Sequence, residues 1–202
     1  MWGLVESGSI TKLINNPKGL VVGDIRYSRK IFELWSKSEL EAIGIYEVEF
    51  NNTNKKDEQW YINTNQSFAF AGGKITASYG SATARAHADT LFTAQDESDG
   101  LGTEGEVKTE GLKTKLIRTV KQQAAGILQD TDWYIVRKAD ASTAVPSAIT
   151  NHRAAVRTKA AEMETAITNA SDTPALETLY AYTEQEDKSV TRPLGELPRL
   201  ES

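Results

Sequence analysis

Between residues 149 and 170, Ile149, Arg153, Val156, Ala160, Met163, Ile167 and Ala170 follow one another in alternating steps of four and three. That spacing places all of them on one face of an α-helix. A helix over Ser147–Asn169 is predicted, about 35 Å long at a rise of 1.5 Å per residue. Its apolar stripe has to be covered by the chain itself or by a neighbour. Ser171-Asp172-Thr173-Pro174 then stops this helix and restarts another that carries Leu176, Leu179 and Tyr180, proline being accepted in a first turn. The two form a helical hairpin. Upstream, Leu112, Leu116, Ile117, Val120, Ala124, Ile127 and Leu128 recur at helical spacing, with Lys113, Lys115, Arg118 and Lys121 on the other sides.

The first eighty residues have a different periodicity. Apolar runs at residues 2–5 and 10–14 flank Glu6-Ser7-Gly8-Ser9, a hairpin pattern, and Asn16-Pro17-Lys18-Gly19 is a turn before Leu20, Val21, Val22 and Ile25. Ser36 and Glu39 have capping-box spacing for a short helix that must stop at Gly44. Residues 45–50 alternate apolar and acidic as a half-buried strand does, and residues 67–70 and 74–79 flank Ala71-Gly72-Gly73 as a second hairpin. Residues 82–92 read as a helix. Residues 95–111, with glycines and six acids (Asp96, Glu97, Asp99, Glu104, Glu106 and Glu110), read as a linker. The expected fold is α+β: a β-rich domain over 1–80, a short helix and acidic linker over 81–111, a helical module over 112–183 and an extended tail over 184–202.

At 202 residues, the chain accommodates one or two domains of roughly 100–200 residues each. Its 28 acidic and 23 basic residues give a net charge of −5, which offers no global attraction to nucleic acid or anionic lipid. The lack of cysteine removes thiol nucleophiles, cysteine-ligated metals and disulfides. Of the two histidines, neither His87 nor His152 has a histidine or carboxylate at the i, i+4 spacing of a zinc helix. Gly100, Gly102 and Gly105 spell G-x-G-x-x-G, but the preceding residues are acidic where a dinucleotide site needs a buried strand, so a loop is expected. No cofactor, metal or catalytic residue is predicted. The opening residues do not predict a signal peptide, no apolar run predicts a membrane span, and the sequons at Asn51, Asn65 and Asn169 are then expected to be chance.

Interaction residues remain. Trp133 is expected to anchor a turn between two helices with its indole buried, because such rings bury large areas. Arg137, Lys138, Arg153, Arg157 and Lys159 cluster near the long helix, where ion pairs inside an assembly are expected. In the tail, Val190, Leu194, Leu197 and Leu200 are scattered around Pro193 and Pro198, a spacing that suits an extended arm docking single side chains into another protein.

One stretch resembles a known group. The run L-x-x-T-D-W-Y-I-V-R-K-A-D at residues 128–140, followed by Ala144-Val145-Pro146 and by H-R-A-A-V-R at residues 152–157, is similar to the C-terminal signature of tail-fibre assembly and tail structural proteins of tailed bacteriophages. Thr131, Asp132, Trp133, Pro146, Arg153 and Arg157 carry the match. The opening Trp2-Gly3-Leu4-Val5-Glu6-Ser7-Gly8 resembles the small N-terminal domain of such proteins, and the block through Tyr79 resembles products of marine-phage structural genes. The resemblance implies a non-enzymatic tail component at the baseplate or fibre-attachment level. Its partners would be other phage tail proteins in a multi-copy assembly, with no nucleic acid or membrane, formed in the host cytoplasm and ending in the virion. An assembly chaperone absent from the particle is the alternative within the group, although chains of that kind usually end soon after the arginine helix. A glycan-binding adhesin using exposed aromatics is the alternative outside it.

Overall fold

The computed structural model describes residues 1–200, and the chain divides into two compact units, Met1–Thr83 and the residues from Ala84 onward. Both strands and helices are present, the strands concentrated in the first unit and the long helices in the second, an α+β arrangement.

In the first unit, β1 (Trp2–Glu6) and β2 (Ser9–Ile14) pair antiparallel through a tight turn in which Ser7 and Gly8 both have positive φ, 51° and 80°. A smaller hairpin of β3 (Leu20–Val22) and β4 (Ile25–Tyr27) leads into α1 (Ile31–Leu34) and α2 (Lys37–Ala42). The Ser36–Glu39 capping box is formed in both directions, Ser36 N–H donating to Glu39 Oε2 at 2.7 Å and Glu39 N–H to Ser36 Oγ at 3.3 Å. Gly44 ends this segment at φ +82°, where a side chain would also press on the Val5 carbonyl. The chain continues as β5 (Ile45–Asn51), β6 (Tyr61–Ile62), β7 (Ser67–Ala71) and β8 (Lys74–Ser78). The sheet order is β2-β1-β5-β8-β7, antiparallel except for the β5–β8 pair. Its edge strands β2 and β7 also meet, so the sheet curls toward closure. Leu4, Ile14, Leu20, Ile31, Leu40 and Ile45 form one buried cluster, walled by Trp2 against Phe32 and Tyr27 against Trp35, while Val48, Ile75 and Ala77 form another.

The strand β9 (Thr83–Ala84) spans the boundary between the units. The second unit contains β10 (Thr90–Leu91), α3 (Ala94–Ser98), β11 (Val107–Thr109), α4 (Leu112–Gln129), α5 (Asp132–Ala141), α6 (Ser147–Asn169), α7 (Thr173–Tyr180), β12 (Thr183–Glu184) and β13 (Val190–Thr191). α4 lies antiparallel on α6: Lys113 Nζ donates to the Thr168 carbonyl at 2.7 Å, Lys121 pairs with Glu164 at 3.4 Å, and the far end of α4 meets Arg153. Val120 and Ala124 are buried on α4, and Val156, Ala160, Met163 and Ile167 on α6. The stripe that defines α6 in the sequence is therefore covered within the chain.

Three expectations are corrected. Residues 82–92 are not a helix, because their backbone acceptors serve other elements. The carbonyls of Ala86 and His87 accept the first N–H groups of α4, from Leu112 and Lys113, both at 3.0 Å, and Arg85 O accepts Thr173 Oγ1–H at 2.6 Å. Asp89 completes the cap, taking Gly111 N–H at 2.7 Å and Thr114 Oγ1–H at 2.8 Å, and these bonds hold its carboxyl below the usual carboxylate range. Residues 95–111 are not a linker but a folded loop. β10 pairs with β11, Thr93 and Asp96 form a capping box on α3, and Lys108 reaches Asp96 at 2.6 Å. That lysine bond and the two bonds from Thr93 hold the Asp96 carboxyl down at about 2.

The third correction concerns the tail expected over 184–202, of which residues 201 and 202 lie outside the described residues. It is not a free arm: β12 and β13 form a hairpin, and Leu194, 2 % exposed, donates its N–H to the Leu179 carbonyl. Arg192 ties the segment further, pairing with Glu196 at 2.7 Å and lying over the rings of Tyr180 and Tyr182. Among the described residues no helix is long and apolar enough to cross a membrane.

Candidate interaction surface

The residues that carry the T-D-W and arginine pattern meet at the turn between α4 and α5. At the end of α4 the last carbonyls run out of i+4 donors, and Leu128 O turns instead to groups of the following turn, among them the backbone N–H groups of Asp130 and Thr131. It accepts the Thr131 hydroxyl at 3.0 Å and Arg153 Nη1–H at 2.6 Å, while the same Nη1 donates to Thr131 Oγ1 at 2.6 Å. Arg153 Nη2 pairs with Asp132 Oδ1 at 2.8 Å. Thr131 and Arg153 are 3 % and 7 % exposed, so this clasp is largely dry on one side and opens to water at Asp132. An arginine in an otherwise apolar stripe is thereby explained: it replaces a hydrophobic contact with a bracket that fixes where α5 leaves α4. Arg153 Nε is buried with no acceptor.

The bracket holds out a helix of which no residue is buried. Trp133 is 51 % exposed and Val136 65 %, with Ile135 also exposed. The Trp133 and Tyr134 rings lie 3.8 Å apart between centroids, and the Arg137 guanidinium sits 4.6 Å from the indole and 5.5 Å from the phenol ring. The expectation of a buried Trp133 is corrected here. α5 starts at Asp132, so the indole falls on the outer side of a first turn, and Thr131, two residues earlier, takes the buried position. Ser142, at φ 52°, ends the helix in the left-handed region.

Behind α5 a groove of about 300 Å³ runs to the start of α6, lined by Ile135, Lys138, Val145, Thr150, Arg153 and Arg157. Trp133, Arg137, Arg153 and Arg157, singled out in the sequence, thus belong to one region. Val190 and Leu197 do not join it. They line a wider cleft of about 990 Å³ beside Gly126, Ile127 and Met163, while Leu194 is in the core and Leu200 is exposed. Tyr134, Ile135 and Val136 were not singled out by sequence reasoning; Val136 and Arg137 stand three and four residues after Trp133, a helical spacing that marks them as its neighbours. His152 is buried on α6, and His87 contributes its backbone carbonyl to the α4 cap. Among the described residues no group of three or more His, Asp or Glu side chains could hold a metal ion.

Comparison with protein-family models, with characterised proteins and with solved structures finds no match to this chain.

Proposed function

We propose that this chain is a non-enzymatic structural component of a bacteriophage tail, at the baseplate or fibre-attachment level, working through protein–protein contacts. The observation that carries the reading is the clasp: Thr131, Asp132 and Arg153, which bear the resemblance to tail proteins, are bonded to one another and together project an unburied helix bearing Trp133, Val136 and Arg137. Exposed tryptophan and arginine beside aliphatic side chains are the composition of protein interface centres. Mass spectrometry of gradient-purified particles, set against the particle-free lysate, tests it. A structural component is recovered with the particles in fixed ratio to other tail proteins, whereas an assembly chaperone stays in the lysate.

The exposure of Trp133 also favours a second reading, a glycan-binding adhesin, since a half-exposed indole beside a phenol ring offers a face on which a pyranose can stack. A glycan array separates the two: binding lost on Trp133→Ala supports the adhesin, and a blank array supports the protein contact.

A further inference from the structure

The groove behind α5 and the acidic loop of the same unit have complementary chemistry. In the groove, Lys138 and Arg157 reach solvent with no carboxylate partner among the described residues, buried Arg153 Nε lacks an acceptor, and Ile135 and Val145 form an apolar wall. Asp132 offsets only the Arg153 charge. The loop, residues 90–109, is folded on itself by the β10–β11 ladder, the α3 capping box and the Lys108–Asp96 pair. It exposes Glu104 and Glu106, which have no ion pair among the described residues, beside exposed Leu101 and Val107. Among the described residues no ion pair joins loop to groove within one chain.

We infer that the groove of one copy receives the acidic loop of a second copy, Glu104 and Glu106 facing Lys138 and Arg157 while Leu101 or Val107 lies against Ile135 and Val145. A second copy is favoured over an unrelated acidic peptide for two reasons. The loop already carries both the opposite charge and an apolar surface to match those of the groove, and being folded it loses little freedom on docking. With a net charge of −5 per chain, copies repel unless patches of opposite sign meet, which this pairing provides. Because the two surfaces differ, each contact joins unlike patches, so two copies exchange loops reciprocally or successive copies join head-to-tail in a ring or filament. The inference takes from the proposed function only that the chain works through protein contacts, and the two fail separately: particle composition does not depend on this contact, and solution association does not depend on the tail.

Sedimentation of the full chain over a concentration series, at low salt and at about 0.5 M salt, tests it. Reversible association that rises with concentration and weakens in high salt is expected. Lys138→Glu with Arg157→Glu, and separately Glu104→Lys with Glu106→Lys, should each weaken association at least about tenfold. Mixing the two variants should restore it, since the intact loop of one meets the intact groove of the other. All four side chains are exposed, so circular dichroism should match the parent for both variants. A parent that stays monomeric at every concentration overturns the inference. So does a loop variant that associates like the parent, or a mixture in which association does not return.

Discussion

Replacing Arg153 with methionine removes the guanidinium while keeping most of the packed stem. Nη1 serves Leu128 O and Thr131 Oγ1, both at 2.6 Å, and a hydrogen bond from a charged donor is worth about 1.5–3 kcal/mol net. The Asp132 pair adds at most about 1 kcal/mol, because that carboxylate is 56 % exposed. Two effects offset the loss. Leu128 O keeps the Thr131 N–H at 3.1 Å and hydroxyl at 3.0 Å, and methionine no longer requires a buried charge with an unpaired Nε. The balance is a destabilisation of about 2 kcal/mol. Arg153→Lys, which can reach one acceptor but not the fork of three, should lose about 1 kcal/mol. The assay is urea unfolding followed by far-ultraviolet circular dichroism, with Thr131→Val as partner in a double-mutant cycle whose coupling should be about 1 kcal/mol. An Arg153→Met protein within about 0.5 kcal/mol of the parent, or a coupling near zero, would refute the clasp as a structural bracket.

Trp133→Ala should change stability by less than about 1 kcal/mol, far below the 3–5 kcal/mol of a core aromatic, and a thermal melt checks this. Leu194→Ala should cost about 2–4 kcal/mol in urea unfolding, because the side chain is in the core, and deletion of residues 184–202 should lower the melting temperature rather than leave it unchanged. Asp89 and Asp96 have carboxyls held below their ordinary values, Asp96 at about 2. A depressed pKa contributes stability that is complete above the unfolded value near ~3.9 and lost as pH falls toward the folded value. Stability should therefore fall between about pH 4 and pH 2, and acid titration of Asp96→Asn or Asp89→Asn should show a shallower slope in that window.

α6 and α4 were legible in the sequence because their covers lie in the same unit, so the apolar period reports real burial. Residues 82–92 were not legible, because alanine-rich local preference favours a helix while the tertiary demand for the carbonyls of Arg85, Ala86 and His87 wins. Glycines and acid content suggested a linker at 95–111, but the β10–β11 pairing, the Thr93–Asp96 capping box and the Lys108–Asp96 ion pair fold it. At the candidate surface, the residues of the motif were visible as letters, whereas the role of Arg153 was visible only as an arginine standing where the stripe calls for an apolar residue. Trp133 shows the limit of arguing from residue type: its size favours burial, yet one extra helix, α5, which has no fully buried residue, turns it outward.

The central claim is that the helix held out by the clasp is where this chain meets other proteins of a tail. A photo-crosslinking amino acid at position 136, in chains incorporated during particle assembly, addresses it most directly. The account predicts covalent adducts to other tail proteins in the purified particles, lost when Arg153→Met releases the bracket. Particles that lack the chain, or that contain it with position 136 adding only to water, would contradict it.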